Sequence, residues 1–173
     1  MASAWFPAAP QGQISIYYGI KGFSKTIVAD RASSLQAIGF AAKSLQKNRA
    51  DFILAGGTEA PVTPYALLCC NTNGSLSKKN DSPATAYRPF DKKRDGFVIA
   101  EGSGTLLLES QERAQQRGVP VFAYIKGFAA NSDGYDRIAP ERSGKELAHA
   151  IQMCLDEAGY KKDDIDYICL DGV

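Results

Sequence analysis

The chain has 173 residues, 45% hydrophobic and 23% charged, which is enough apolar material for one globular domain or a large part of a bigger one and excludes a disordered polymer. With 20 basic and 19 acidic residues the formal net charge is +1, so no global field draws it to nucleic acid or to an anionic membrane. Cys69, Cys70, Cys154 and Cys169 show no CxxC spacing and His149 is the single histidine, so neither a metal site nor a disulfide framework is expected, and a reducing cytosol fits best. The opening MASAWFPAAP has no basic stretch and is broken by Pro7 and Pro10, so it reads as neither a secretory signal nor a membrane span. A soluble, cytoplasmic chain is expected.

In chain order, residues 11–18 predict a short helix and 24–29 a β-branched strand. The chain then turns sharply at Ala29-Asp30-Arg31 into a helix of small and apolar residues, with Leu35, Ile38, Ala41, Ala42 and Leu45 on one face. A strand turning this sharply into a helix can lift one side chain above a sheet at a helix N-terminus, where an anionic nucleophile is favoured. Here the lifted side chain is Arg31.

Residues 52–55 (FILA) predict a strand covered on both faces that ends in a turn at Gly56-Gly57; the run lacks the Lys-Ser/Thr of a phosphate-binding loop. Thr63 and Pro64 predict an N-cap and first helical position of a helix stopping at Gly74, with Cys69 and Cys70 inside it as small hydrophobes. A polar loop follows. The charged run RPFDKKRDGF (88–97) reads as a salt-bridged loop or as a rigid support for a nearby site.

A strand region at 98–100 and 105–109, interrupted by Glu101-Gly102-Ser103-Gly104, leads into a polar helix over 110–117 ended by Gly118. Residues 121–128 alternate as a strand, and 130–142 form a loop. Ser143 with Glu146 predicts a capping box, opening a helix to Gly159 that carries His149 on its polar face with Gln152 and Asp156. Residues 165–170 (IDYICL) predict a last strand. Strands alternating with helices imply an α/β fold with largely parallel or mixed sheets. A sheet that stops so soon after a strand implies missing neighbours, so the sequence reads as a fragment, poorly soluble when isolated because strand edges and apolar faces lie open.

The motifs ASSLQAIG, LAGGTEAPVTP, SLS at 75–77, RPFDKKRDGFVIAEGSGTLLLE and DYICLDG, in this order, resemble the β-ketoacyl synthase family of the thiolase fold, from about Gly12 onward. The resemblance implies a thiolase-like layered α/β fold present as a partial domain. Residues 1–118 would be the later part of the N-terminal ketosynthase-like half, and 119–173 the truncated beginning of the C-terminal half. It places Arg31 where an active ketosynthase carries the acyl-accepting cysteine, two residues before the paired serines. Asp171-Gly172-Val173 stands where the family has His-Gly-Thr. Arginine has donors and no acceptor, and a carboxylate cannot replace an imidazole, so both positions are degenerate and no independent condensing activity is expected.

Within the family, the group that keeps the fold without the cysteine is the chain length factor of type II polyketide synthases, the ketosynthase β subunit. The resemblance therefore implies a non-condensing subunit that pairs with a ketosynthase α subunit and shapes the tunnel of the growing polyketide, fed by an acyl carrier protein, in antibiotic-type biosynthesis. No cofactor, metal, nucleic acid or membrane is implied. Many members have glutamine at the elbow, so Arg31 departs from the pattern. By the same analogy Thr26, Ile27, Val28 and Ala29 lie near the dimer interface, and Leu68, Cys69, Cys70 and Thr72 near the tunnel, where ordinary core is an equal reading. The alternatives are an acyltransferase or malonyl decarboxylase using Ser33 or Ser34, and an inactive truncated ketosynthase homologue. From the opposite charges of Arg31 and Asp171 an ion pair plugging the former active site is expected, with Asp30 and Glu59 as competing partners; purely additive losses in a double-mutant cycle would count against it.

Overall fold

The computed structural model describes residues 6–136 and 139–172. Its helices are α1 (Ala9–Tyr18), α2 (Ser33–Gln46), α3 (Pro64–Thr72), α4 (Gln111–Arg117) and α5 (Lys145–Ala158), with short 3-10 turns at Pro83–Thr85 and Lys162–Asp164; its strands are β1 (Phe52–Glu59) and β2 (Gly102–Glu109). The strands pair with each other in a two-stranded sheet. The chain divides into two compact units. The first holds the residues up to Gly57 with Thr105–Asp166, and the second Thr58–Gly104 with the residues from Tyr167 onward.

Helix ends follow the local chemistry of the sequence. Thr63 accepts a hydrogen bond from the Ala66 N–H at the start of α3, and Pro64 opens the helix, where its missing N–H costs nothing. Ser110 caps α4 in the same way through the Arg113 N–H, and Gly118 closes it in the left-handed conformation, as Gly159 closes α5. The N-terminus of α5 departs from the expected capping box. Gly144 (φ 67°) is its N-cap, Ser143 bonds Glu141, and Glu146 is taken by the Asn131 side-chain amide, which donates to the Glu146 carbonyl at 2.7 Å. Two polar side chains, of Asn131 and Glu141, outcompete a motif defined by sequence spacing.

Three predicted strands are absent among the described residues: 24–29, 121–128 and 165–170 enter no ladder beyond an isolated Ala29–Arg31 bridge. A strand exists only where a neighbouring backbone supplies donors and acceptors, and here none is in register. Residues 98–100 likewise stay outside β2, which begins at Gly102 and takes in the glycines expected to interrupt it. β1 similarly runs straight through Gly56 and Gly57, neither of which has a positive φ, so the expected turn is extended backbone.

The buried hydrophobic residues are small: Ala41, Ala55, Ala86 and Ala114. The accessible surface is 14051 Å², whereas a folded monomer of this size exposes roughly 8,000 Å². The surplus includes Leu35 (67% exposed), although Ile38, Ala41, Ala42 and Leu45 of the same predicted α2 face are buried or half-buried, and Phe52 and Leu54 on β1, in place of a strand covered on both faces. Within the first unit, packing centres on the segment that follows α4. The Phe128 ring lies against Gly39 of α2, where an added Cβ would come within 2.3 Å of it, and Gly127 meets α5, where an added Cβ would stand 2.5 Å from the Cys154 carbonyl oxygen. Lys43 of α2 and Glu157 of α5 are joined at 3.0 Å.

Candidate functional site

The elbow that opens α2 is built from backbone and one hydroxyl. Asp30 has φ 49°, a left-handed conformation in which Asp is one of the few non-glycine residues at home, and this reverses the chain in a single step. The Ala32 and Ser33 N–H groups donate to the Ala29 and Asp30 carbonyls at 3.0 and 3.1 Å. Ser33 then staples the turn, its Oγ donating to the Asp30 carbonyl at 2.6 Å and accepting from the Ala29 N–H at 2.8 Å. Arg31 sits exposed between these bonded residues. None of the bonds that shape the elbow requires a particular side chain at position 31.

The first turn of α2 also rests directly on β1. A Cβ added at Gly57 would lie 2.0 Å from Ser34 Oγ and 3.1 Å from Ser34 Cβ. The double glycine of β1 is therefore there for close approach of helix to strand. Neither serine resembles an activated nucleophile: Ser33 directs its proton at a backbone carbonyl, and Ser34 is packed on Gly57. His149, the single imidazole, is exposed on α5 as predicted.

A second constellation lies in the second unit. Leu76 and Phe97 form a parallel bridge, with the Ser77 N–H donating to the Phe97 carbonyl at 2.9 Å and the Phe97 N–H to the Ser75 carbonyl at 3.0 Å, so the SLS and RDGF motifs are laced together. Gly96 permits the lacing. It has φ 149°, and an added Cβ would stand 2.5 Å from the Ser77 nitrogen. Asp95 is the hub. Its carboxylate accepts from Ser77 Oγ at 3.1 and 3.0 Å, from the Lys78 N–H at 3.1 Å and from Arg88 Nη2 at 3.4 Å.

Desolvation pushes the Asp95 carboxyl upward, but the Ser77 hydroxyl, the Lys78 N–H and the Arg88 and Lys79 charges together outweigh it and hold the group below its ordinary value. Arg88 in turn donates to the Lys93 carbonyl at 2.9 Å. The charged run is thus both a salt-bridged loop and a support, because its Tyr87 and Pro89 bear on the DG motif. Tyr87 Oη donates to the Gly172 carbonyl at 3.4 Å, and a Cβ at Gly172 would meet Pro89 Cγ at 2.7 Å. This places Asp171 next to a residue locked by steric contact.

The other predicted residues fall as follows. In the first unit Thr26, Ile27 and Ala29 are half-buried and Val28 is 74% exposed; Thr26 Oγ1 donates to Gln11 Oε1 of α1 at 3.3 Å. In the second unit α3 buries none of its residues. Leu68 is 60% exposed, Cys69 is exposed rather than buried, Cys70 is half-buried, and Thr72 is exposed with its hydroxyl donating to the Cys69 carbonyl at 2.8 Å. Arg31 belongs to the first unit and Asp171 to the second; Val173 lies outside the described residues. Sequence reasoning missed the roles of Ser33, Gly57, Asp95 and Gly172. The glycine and serine pairs were visible, but a glycine that admits a neighbour and one that turns a chain look alike in sequence. Among the described residues no group of three or more His, Cys, Asp and Glu could hold a metal ion, and no helix is long and apolar enough to cross a membrane.

An elbow set on a glycine strand, followed by a laced strap bearing on a DG turn, is a partial thiolase-like α/β ketosynthase architecture, as the motifs imply. The model of the Beta-ketoacyl synthase, N-terminal domain, matches residues 3–114, and that of the C-terminal domain matches residues 122–173. The chain belongs to the β-ketoacyl synthase family. It is 40% identical over 162 residues to 3-oxoacyl-[acyl-carrier-protein] synthase 2 of Staphylococcus aureus, covering 94% of this chain and 40% of that protein. Among solved structures it is similar to AntDE:AntF, a type II PKS acyl-carrier protein in complex with its ketosynthase bound to the hexaketide, with a TM-score of 0.88, 33% identity and coverage of 96% of this chain and 41% of that one. It is also similar to the ishigamide ketosynthase/chain length factor, with a TM-score of 0.83, 29% identity and coverage of 93% and 38%. The chain spans about 40% of the length of the curated relative it matches.

Proposed function

We propose that this chain is a non-condensing, chain-length-factor-type ketosynthase subunit, or part of one, acting in the cytoplasm with a ketosynthase α subunit and an acyl carrier protein on a growing polyketide. The observation that carries the reading is Arg31 at the apex of an otherwise intact elbow. The left-handed Asp30, the Ser33 staple and the Gly57 seat retain the geometry of a nucleophile, while the side chain presented has no lone pair to attack with. Architecture is kept and chemistry is lost, as in a subunit that serves an active partner. The likeness to a ketosynthase/chain length factor and to a ketosynthase seen with its carrier protein supports the same reading.

The proposal extends to the residues. Thr26, Ile27, Val28 and Ala29 would face the α subunit, and Leu68, Cys69, Cys70 and Thr72 would set tunnel depth, for which the exposure of α3 leaves them available. Residues 1–118 and 119–173 would belong to the two ketosynthase-like halves. The test is incubation of the chain with labelled malonyl carrier protein, alone and with a ketosynthase. No covalent adduct and no carbon dioxide release are expected from the chain alone, together with co-purification with the ketosynthase. An adduct on the chain alone would overturn the reading in favour of an acyltransferase or decarboxylase.

A further inference from the structure

Asn73-Gly74 closes α3 in the second unit, and it is the one Asn-Gly step in the chain: Asn48, Asn71, Asn80 and Asn131 are followed by Arg, Thr, Asp and Ser. An asparagine side-chain carbonyl carbon is an electrophile within ring-closing reach of the next backbone nitrogen, and a following glycine, without a Cβ, leaves that nitrogen unobstructed. Both residues are exposed, Asn73 as the C-cap (φ −77°, ψ −7°) and Gly74 in the left-handed conformation (φ 68°).

The bland account of Gly74 is an ordinary helix stop. The hydrogen bonds show a weakly fastened one. The Asn73 N–H donates to the Cys69 carbonyl and the Ser75 N–H to the Cys70 carbonyl, both at 3.4 Å. Thr72 Oγ1 donates to the same Cys69 carbonyl at 2.8 Å, so the backbone bond there competes with a side chain. The shortest closing bond, from the Gly74 N–H to the Asn71 carbonyl at 3.0 Å, spans only three residues. α3 buries none of its residues, so packing does not hold its last turn down. Asn131 is the contrast, because its amide is tied to the Glu146 carbonyl at 2.7 Å.

We propose that Asn73 is a site of spontaneous deamidation, through which α3 acquires a carboxylate at its C-terminus. In the closed cap the Gly74 N–H is bonded to Asn71 and the ring-closing rotation of the Asn73 ψ has not been made, so the reaction passes through the opened cap. The Gly74 nitrogen gives its proton to hydroxide and attacks Asn73 Cγ. The new C–N bond closes a succinimide ring, the Cγ–Nδ2 bond breaks, and ammonia leaves. Water then opens the ring at either carbonyl, giving aspartate or isoaspartate. Each product sets a negative charge at the helix end whose dipole disfavours it, and isoaspartate also lengthens the main chain and draws the Ser75 N–H off the Cys70 carbonyl. The inference uses the second unit alone and is independent of the role proposed for Arg31.

The test is incubation of the full chain at neutral and at mildly alkaline pH, folded and unfolded in urea, followed by peptide mass spectrometry with enzymatic methylation of isoaspartate. Asn73 is expected to convert faster than every other asparagine, and faster at alkaline pH because the attacking nitrogen must lose its proton. Folding should slow Asn73 by less than about tenfold, since a fraying end opens at little cost, and slow Asn131 by more. The product mimic Asn73→Asp should speed amide exchange over residues 70–75 while leaving Phe97 unchanged. No conversion at Asn73, faster conversion at another asparagine, protection of Asn73 as large as that of Asn131, or unaltered exchange in Asn73→Asp would each overturn the proposal.

Discussion

The elbow over residues 29–33 and the strap over residues 75–97 are held by different means. At the elbow the bonds run between backbone groups and Ser33. In the strap, side-chain identity is the structure: Asp95 has three donors, and Gly96 leaves space that no other residue can give up. The elbow's bonds leave the side chain at position 31 open to change, whereas the RPFDKKRDGF run depends on its own side chains.

Six variants would break or sharpen this contrast. The largest effect is expected from Gly96→Ala, which places a Cβ 2.5 Å from the Ser77 nitrogen at φ 149°; backbone must move, so a loss of about 3 kcal/mol is expected in denaturant unfolding, with faster amide exchange over 75–97. Gly57→Ala should cost less, about 1–2 kcal/mol, because the 2.0 Å contact is with a hydroxyl that can rotate. Adding Ser34→Ala should recover a large part of that loss in the same assay. A Gly57→Ala cost above that of Gly96→Ala would reverse the comparison.

Ser33→Ala removes both staple bonds and should cost about 1 kcal/mol, read as a lower Tm, while Arg31→Ala at the apex should leave the elbow bonds in place. The smallest effect expected is acid-dependent. Asp95 has its folded-state pKa below the unfolded value, so its contribution is fully present above the ordinary carboxylate range and is lost as pH falls through the lowered value. Asp95→Asn should lower the neutral plateau of a Tm-against-pH curve slightly and flatten its acid limb, because the variant has no carboxylate to protonate. An unchanged acid limb would show that the hub does not couple to folding.

The features legible in the sequence are those decided within a few residues. Thr63-Pro64, Ser110, Gly74, Gly118 and Gly159 fix helix ends because a cap needs only its own turn. The elbow was legible for the same reason, and so was the exposed His149. The runs at 24–29, 121–128 and 165–170 have strand composition, yet a ladder is a property of two chains of backbone, and pairing could not be read from one. Ser143 and Glu146 have capping-box spacing, but the Asn131 amide, from elsewhere in the chain, donates to the Glu146 carboxylate at 3.4 Å, and the neighbouring Glu141 carboxylate accepts from Ser143 Oγ.

The sequence by itself determined the family and most helix ends, because each is written in local residue types. Only the tertiary structure decided that Gly57 serves contact and not turning, that Cys69 faces outward, and that Asp95 gathers the SLS and RDGF motifs. Each of these depends on which distant atoms arrive within a few ångströms. Spacing along a chain limits that meeting but does not specify it.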